Sequence, residues 1–465
     1  MFTRIEIDGF KSFRNFELKL RPFTVILGPN ASGKSNLFDA IQLLSRFASE
    51  SSVGSAFDSI KERGIPGELF SQNADGSVAK KMTFGIEVLL DARHTDVFGS
   101  VIELEQTRVR YDLTIERRDN ESEPGRLFVT QEQVTAIPAN KDIFWQDLKG
   151  RSSAFNRAFI KRQQKKKPYL ETVEEEGQPR FHIHQEGNAG RSRTIPAANA
   201  EATVLSSCQN SKETPTLYAL REEMASWRFL QLDPDALRKP SPEYLLNKEL
   251  NSHGSNLPAV LARIRFETRE EMDSEGALAD ISADMARLIP GVRRVCVEVD
   301  KKAGEYSLKI VMANGQEFSS RVVSDGTLRV LALLTMLHDP RHHGLILFEE
   351  PENGVHPLRL KETIRVIRRL LTTEDQESYD PDQRLCQMLI NSHSPVVLSC
   401  CLNETDLVYL DAVTRIDPLR RTKESATRVR RIHLQGDLIG DGQTDFVSAF
   451  EVQSLLESWR DRSEI

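Results

Sequence analysis

The chain has 465 residues, 39% hydrophobic and 28% charged, with a formal net charge of −7. Such a chain is globular, with a core large enough for two or three lobes. No apolar run approaches the ~20 residues that span a bilayer, and the acidic balance excludes an obligate nucleic-acid coat.

The N-terminus, MFTRIEIDGFKSF, alternates like a strand and lacks the apolar core of a signal peptide, so a cytoplasmic location and no membrane contact are expected. Residues 1–118 read as strands around one helix. TRIEIDGF and NFELKL alternate, FTVILG is a buried strand, and SNLFDAIQLLSRFA is a helix. KMTFGIEVLLDA and RVRYDLTIERR then read as strands of an antiparallel layer. Residues 119–254 change character. A basic block and an acidic block follow each other in RQQKKKPYLETVEEEGQPR, and QEGNAGRSRTIPAANAEA is polar and rich in breakers. This interval is expected to be an insertion of helices and mobile loops, with too few apolar heptads for a long coiled coil. His182 and His184 alternate within RFHIHQEG, as on one face of an exposed strand; that reading is preferred to a zinc site. The five cysteines, Cys208, Cys296, Cys386, Cys400 and Cys401, have neither metal-ligand spacing nor the pattern of a disulfide frame.

Residues 255–465 begin with a helical pattern. VRRVCVEVD and EYSLKIVMANGQEF follow as a strand pair. Next come the polar turn Ser324-Asp325-Gly326-Thr327, opening an apolar helix, and the buried strand LILFEEPE. A helix LRLKETIRVIRRLLTT, a buried strand ending NSHSP, and a C-terminal helix DFVSAFEVQSLLESW complete the chain.

Gly28, Pro29, Asn30, Ala31, Ser32, Gly33, Lys34 and Ser35 fit G-x-x-x-x-G-K-S in full, with a strand before and a helix after, and together with Asn36 they are the expected nucleotide-binding residues. Glycines let backbone N–H groups curl around phosphate oxygens, and the helix N-terminus favours the same anion. Lys34 then bridges the outer phosphates of ATP, and Ser35 supplies a hydroxyl to Mg2+. A chance glycine turn does not explain the flanking strand and helix.

LILFEEPE ends a buried strand in adjacent carboxylates. Glu349 stands in a metal-holding position and Glu350 in that of a general base for the attacking water. An acidic surface terminus is the plainer reading when the strand is taken alone. His393, at the end of the next strand, is placed to bond the γ-phosphate, since strand C-terminal ends line the ligand crevice of a parallel sheet.

Phosphate loop, long interval, SDGT turn, acidic strand and histidine, in that order, resemble the ABC-type ATPase heads of the SMC/RecF class. The chain is most similar to the bacterial stand-alone "AAA family" ATPases of that class. GFKSFRNFELKL and GPNASGKSNLFDAI look like the N-terminal block, and WRFLQLDPDALRKP and GSNLPAVLARI like middle landmarks. VSDGTLRVLALL looks like the signature, LILFEEPENGVHP like Walker B with its D-loop, and NSHSPVVL like the switch histidine. The resemblance implies an α/β, two-lobed head: a mixed central sheet with flanking helices, an antiparallel β layer and an inserted region. It implies ATP with Mg2+ as cofactors and a homodimer or higher homo-oligomer closed through the ATP sites. The signature Ser324, Asp325, Gly326 and Thr327 of one copy would then face the nucleotide of another. Asp325 and Thr327 depart from the commoner Gly and Gln, so Asp325 is expected to point away or cap the helix. Asn353 and His356 fall on the D-loop, with His356 in the usual Asp position. Gln72 is the candidate for a Mg2+-coordinating glutamine, and Lys11 to Phe13 for an approach to the sugar or base.

The resemblance further implies a switch in DNA repair or antiphage defence, working with a separate effector, a nuclease or toxin. The chain shows no HNH pattern. Residues 394–465 are too few for the Toprim nuclease that follows similar heads in overcoming-lysogenisation-defect enzymes, so no intrinsic nuclease is expected. Direct DNA contact is open through the basic stretches 157–167 and 415–431. A slow-turnover ATP-dependent scaffold is the alternative. A transporter's nucleotide-binding subunit is disfavoured by the long interval between loop and signature.

Overall fold

The computed structural model describes residues 1–60, 66–73, 76–119, 125–148, 153–163, 167–186, 192–246, 248–271, 273–374, 376–380, 383–392, 394, 397, 406–416, 423–432 and 446–447. Within them a seven-stranded sheet carries the motifs. Its order is Arg228–Leu230, Gly344–Glu349, Cys386–Asn391, Phe23–Leu27, Leu407–Ile416, Lys423–Ile432 and Phe446–Val447. The first five strands run parallel. Lys423–Ile432 returns antiparallel to Leu407–Ile416.

The inner strands are mostly apolar because both faces are buried. Along Phe23–Leu27, Ile26 enters one core, while Phe23, Val25 and Leu27 enter the other. Gly344–Glu349 divides the same way, with Leu345 and Leu347 on one side and Ile346 and Phe348 on the other. The first core lies between this sheet and an eight-stranded, wholly antiparallel sheet. The helix Lys34–Ser49 joins that core through Leu37, Ile41, Leu44 and Phe47, spaced three and four apart on one face. The second core joins the other face to the helices Leu257–Thr268, Ala277–Leu288 and Asp325–Leu337 and to the hairpin of Val292–Asp300 with Glu305–Met312. Strand pairing at Asp300↔Glu305 closes that hairpin, as its sequence suggested. The fold is thus α/β, a mixed sheet with flanking helices and an antiparallel β layer.

The interval 119–254 differs from its expectation as helices and loops. Arg126–Ala136, Leu170–Glu175, Gln178–His184 and Ser192–Pro196 are half of the antiparallel sheet, accompanied by short helices. The strand Arg126–Ala136 escaped notice because a carboxylate, Glu132, occupies a fully buried position and breaks the apolar alternation of VTQEQVT. His182 and His184 lie on one strand as expected, and their Nε2 atoms pair with Glu175 and Glu171 at 2.9 Å each. The expected C-terminal helix lies outside the described residues apart from Phe446–Val447, which form a strand.

Candidate ATPase site

The parallel strands deliver their C-terminal ends to one edge, the ligand side of such sheets. Gln231 follows Leu230, Glu350 follows Glu349, Ser392 follows Asn391, and Gly28 follows Leu27. In the loop, Gly28 has φ +154° and Gly33 +101°, and Gly33 leads directly into the helix Lys34–Ser49. Pro29, Asn30, Ala31 and Ser35 are exposed, whereas Ser32 and Lys34 are buried. The Lys34 ammonium donates to the carbonyls of Gly28 at 2.7 Å and Pro29 at 2.8 Å. Burial lowers its pKa, and the charges of Glu350 and Glu352 across the crevice partly offset that.

Glu350 adopts φ +49°, a left-handed conformation that costs a non-glycine residue about 1–3 kcal/mol. Its N–H donates to Asn391 O at 2.9 Å, and Asn353 Nδ2 donates to Glu350 Oε2 at 2.6 Å. Asn353 therefore orients the expected base within one turn. Glu352, not singled out from the sequence, accepts from Ser392 Oγ at 2.7 Å and so ties the acidic turn to the strand end preceding His393. His393 itself lies outside the described residues.

Glu349 accepts from Gln231 Nε2 at 3.1 Å. Both line a cavity of about 180 Å3 with Asp39, Gln42, Arg46 and His253, between the loop helix and the acidic strand. Gln72, the candidate from the sequence, is exposed, pairs with Val78 in an isolated bridge, and offers its carbonyl to Arg14. The glutamine brought against the acidic strand is thus Gln231. Its signal was its place in FLQLDP at the end of a short strand, legible only once that strand is known to pair with Gly344–Glu349. Lys11 is spent on Asp39 at 2.5 Å, and Phe13 is buried in the first core, so neither is left to meet a base or sugar. Asn36 donates to Ser12 Oγ at 2.9 Å and faces the N-terminal turn.

Ser324 caps the helix Asp325–Leu337, accepting from Thr327 N, while Thr327 is buried. Asp325 does not cap. It pairs with Arg238, which also donates to Val323 O at 3.0 Å. Gly326 sits so close to Gly354 that a Cβ there would stand 1.8 Å from the Gly354 carbonyl oxygen. Arg329, one turn on, donates to Leu232 O at 2.9 Å and Asn353 O at 3.3 Å. The turn is therefore wedged against the segment following Glu350. His356 heads the helix Pro357–Leu370, its carbonyl accepting from Arg359 and Leu360 N–H groups. Several cations of the basic stretches are engaged within the fold: Arg162 with Asp142, and Arg428 and Arg430 with Asp411.

Among the described residues, no group of three or more His, Cys, Asp or Glu side chains could hold a metal ion unaided. The donors near the crevice, the Ser35 hydroxyl, one Glu349 carboxylate and the Gln231 amide, are few and hard. That set suits a Mg2+ ion completed by water and phosphate oxygens. No described helix is long and apolar enough to cross a membrane.

A phosphate loop beside an acidic strand end on a parallel sheet, with a capped serine-glycine turn opening a helix packed on the sheet's other face, defines an ABC-type ATPase head. The chain belongs to the family described as "AAA domain, putative AbiEii toxin, Type IV TA system", whose model matches residues 23–399. Similar solved structures include an SMC head bound to the C-winged helix domain of ScpA, at 15% identity over 92% of this chain and 98% of that one, TM-score 0.46. An SMC head domain with an extended coiled coil from Pyrococcus furiosus, bound to the C-terminal domain of ScpA, is 14% identical over 99% of each chain, TM-score 0.42. Another from Pyrococcus yayanosii, with a coiled coil and joint, is 13% identical over 99% of each, TM-score 0.45.

Proposed function

We propose that this ATPase is a Mg2+-dependent switch whose ATP site is completed by a second copy of the chain. The observation that carries the reading is the seat of the signature turn. Ser324 and Asp325 are exposed at a helix N-terminus, the anion-favouring end. Among the described residues, the side-chain hydrogen bonds of Ser324–Thr327 go to one another and to Arg238, and none goes to residues 28–36. A phosphate-binding turn held away from its own loop serves another loop.

In this reading, Lys34 exchanges the Gly28 and Pro29 carbonyls for the outer phosphate oxygens of ATP. Glu349, Ser35 and Gln231 would hold a Mg2+ ion, which would neutralise charge on the leaving and transferred phosphates. Glu350, aimed by Asn353, takes the proton from the attacking water as ADP and phosphate form. His393 bonds the γ-phosphate, and His356 carries the D-loop position toward the partner copy. The biological setting we infer is DNA repair or antiphage defence with a separate effector, a nuclease or toxin. Asp142 and Asp411 engage Arg162, Arg428 and Arg430 of the basic stretches, which argues against direct DNA contact there.

The test is Glu350→Gln saturated with Mg·ATP, which retains nucleotide and sediments as a dimer or larger. Monomers at every concentration, with a wild type that turns over normally, would refute the shared site. A pull-down with the same variant identifies the effector.

A further inference from the structure

The phosphate loop is tied to a strand remote in sequence. Thr427, 2% exposed on Lys423–Ile432, places its Oγ1 3.0 Å from the carbonyl oxygen of Ser32. The same Oγ1 lies 2.7 Å from Ser12 Oγ, and Ser12 Oγ lies 2.9 Å from Asn36 Nδ2. Thr427 N donates to Ser12 O at 2.9 Å, which fixes the register of the two segments.

The direction of each proton follows from what each group can do. An amide NH2 only donates, so Asn36 gives to Ser12. A carbonyl only accepts, so the Thr427 hydroxyl gives to Ser32. The proton between the two hydroxyls is then that of Ser12. The relay Asn36 to Ser12 to Thr427 to Ser32 leaves no hydroxyl proton unused, and it closes a ring around Gly33, Lys34 and Ser35.

We propose that Thr427 and Ser12 are positioning residues that aim the phosphate loop at the nucleotide, a proposal that rests on the ATPase reading above. The Ser32–Gly33 peptide is planar and trans, so its N–H and C=O point to opposite edges. With the carbonyl held by Thr427, the Gly33 N–H is turned away from the strand Lys423–Ile432. That is where a phosphate must lie, since the side toward this strand is filled: a Cβ on Gly33 would stand 2.3 Å from Thr427 Oγ1. Without the Thr427 hydroxyl, nothing in the relay holds that carbonyl, and the donor no longer has a fixed aim. Glycine at 33 is thus required by its φ of +101° and by the same threonine.

The experiment compares Mg·ATP affinity, by titration calorimetry, for wild type, Thr427→Val, Thr427→Ser, Ser12→Ala and the Thr427→Val/Ser12→Ala double variant, with thermal melting alongside. Thr427→Val is expected to raise Kd about tenfold, the scale of one buried hydrogen bond. Thr427→Ser keeps the hydroxyl and is expected within about twofold of wild type, and the double variant is expected to be little worse than Thr427→Val, because the pair acts as one unit. A Thr427→Val protein that melts lower but binds ATP like wild type overturns the proposal, as does a Thr427→Ser protein as weak as Thr427→Val. Should Thr427→Val not fold, Ser12→Ala at the half-buried end of the relay decides: unchanged affinity refutes, about tenfold loss supports. A wild type that binds no ATP removes the ATPase reading itself and this proposal with it, an outcome separate from normal wild-type binding with an insensitive Thr427.

Discussion

Replacing Gly326 by alanine tests whether the signature turn and the catalytic turn of one chain act as a unit. The added Cβ would lie 1.8 Å from the Gly354 carbonyl oxygen and 2.7 Å from its carbonyl carbon, both backbone atoms that cannot swing aside. Real Cβ contacts essentially stop near 3.0 Å, so the two segments must part by at least about 1.2 Å. Overpacking of this kind costs about 1–3 kcal/mol of stability. The larger effect is on chemistry. Asn353, whose amide holds the Glu350 carboxylate, directly precedes Gly354, so the shift reaches the base, and a misplacement of about 1 Å can cost on the order of 100-fold in rate. Gly354→Ala is the control. Its φ of +74° strains an alanine by about 1–2 kcal/mol, yet its nearest contact would be an ordinary 3.4 Å. Steady-state kinetics, ATP titration and thermal melting on both variants separate the terms. Gly326→Ala should bind ATP normally and lose about 100-fold in kcat, while Gly354→Ala loses comparable stability and far less turnover. Equal losses of kcat in the two variants, or an unchanged kcat in Gly326→Ala, would refute the wedge.

Gln231→Ala should raise the Mg2+ concentration for half-maximal turnover about tenfold with ATP affinity largely kept, whereas Gln72→Ala leaves the Mg2+ titration unchanged; the reverse pattern returns the role to Gln72. Arg238→Ala removes the partner of Asp325 and aims an uncompensated carboxylate at the proposed partner triphosphate, so ATP-dependent dimerisation should weaken several-fold, and Arg238→Ala/Asp325→Asn should recover it; sedimentation of the four proteins of the cycle decides. Burial pushes Glu132 up to about 7 from an ordinary 4.5, against the opposing pull of the Leu205 and Val204 N–H groups and the Tyr111 hydroxyl. Its folded pKa exceeds its unfolded one, so its contribution is greatest below the unfolded value and is lost as pH rises through about 7, by at most about 3 kcal/mol. Urea unfolding from pH 5 to 8 should therefore show wild type losing stability relative to Glu132→Gln as pH rises, and parallel profiles would contradict this.

The parallel sheet was legible because its strands are buried on both faces and read as largely apolar runs, FTVIL, LILF and MLI. The phosphate loop was legible because its chemistry is contiguous. The antiparallel strands of 119–254 were not, because their outward faces are polar and one inward position is the carboxylate Glu132. Gln231 was hidden for a different reason. Glutamine is an ordinary surface residue, and its meaning lies in the register Leu230↔Phe348, which places it beside Glu349. Thr427 and Ser12 are further still from a sequence signal. Their hydroxyls meet across 415 positions, one in a turn and one on a strand, and no local periodicity records that.

The charge arrangement at the crevice constrains how such a head must work. Glu349, Glu350 and Glu352 gather at the end and turn of one strand, and the latter two act electrostatically on a single buried ammonium, Lys34. A triphosphate brought to this edge adds several negative charges to a site already rich in carboxylates, in surroundings where burial weakens solvent screening. Two helix N-termini add positive features of the fold. One, that of Lys34–Ser49, lies under the loop in the same chain. The other, that of Asp325–Leu337, is turned to solvent with Asp325 drawn aside by Arg238. On the proposed reading, binding of the nucleotide would gain from a divalent cation within the chain and from a second helix N-terminus outside it, and the wedge at Gly326–Gly354 would make any strain on that outer turn a strain on the proposed base, Glu350.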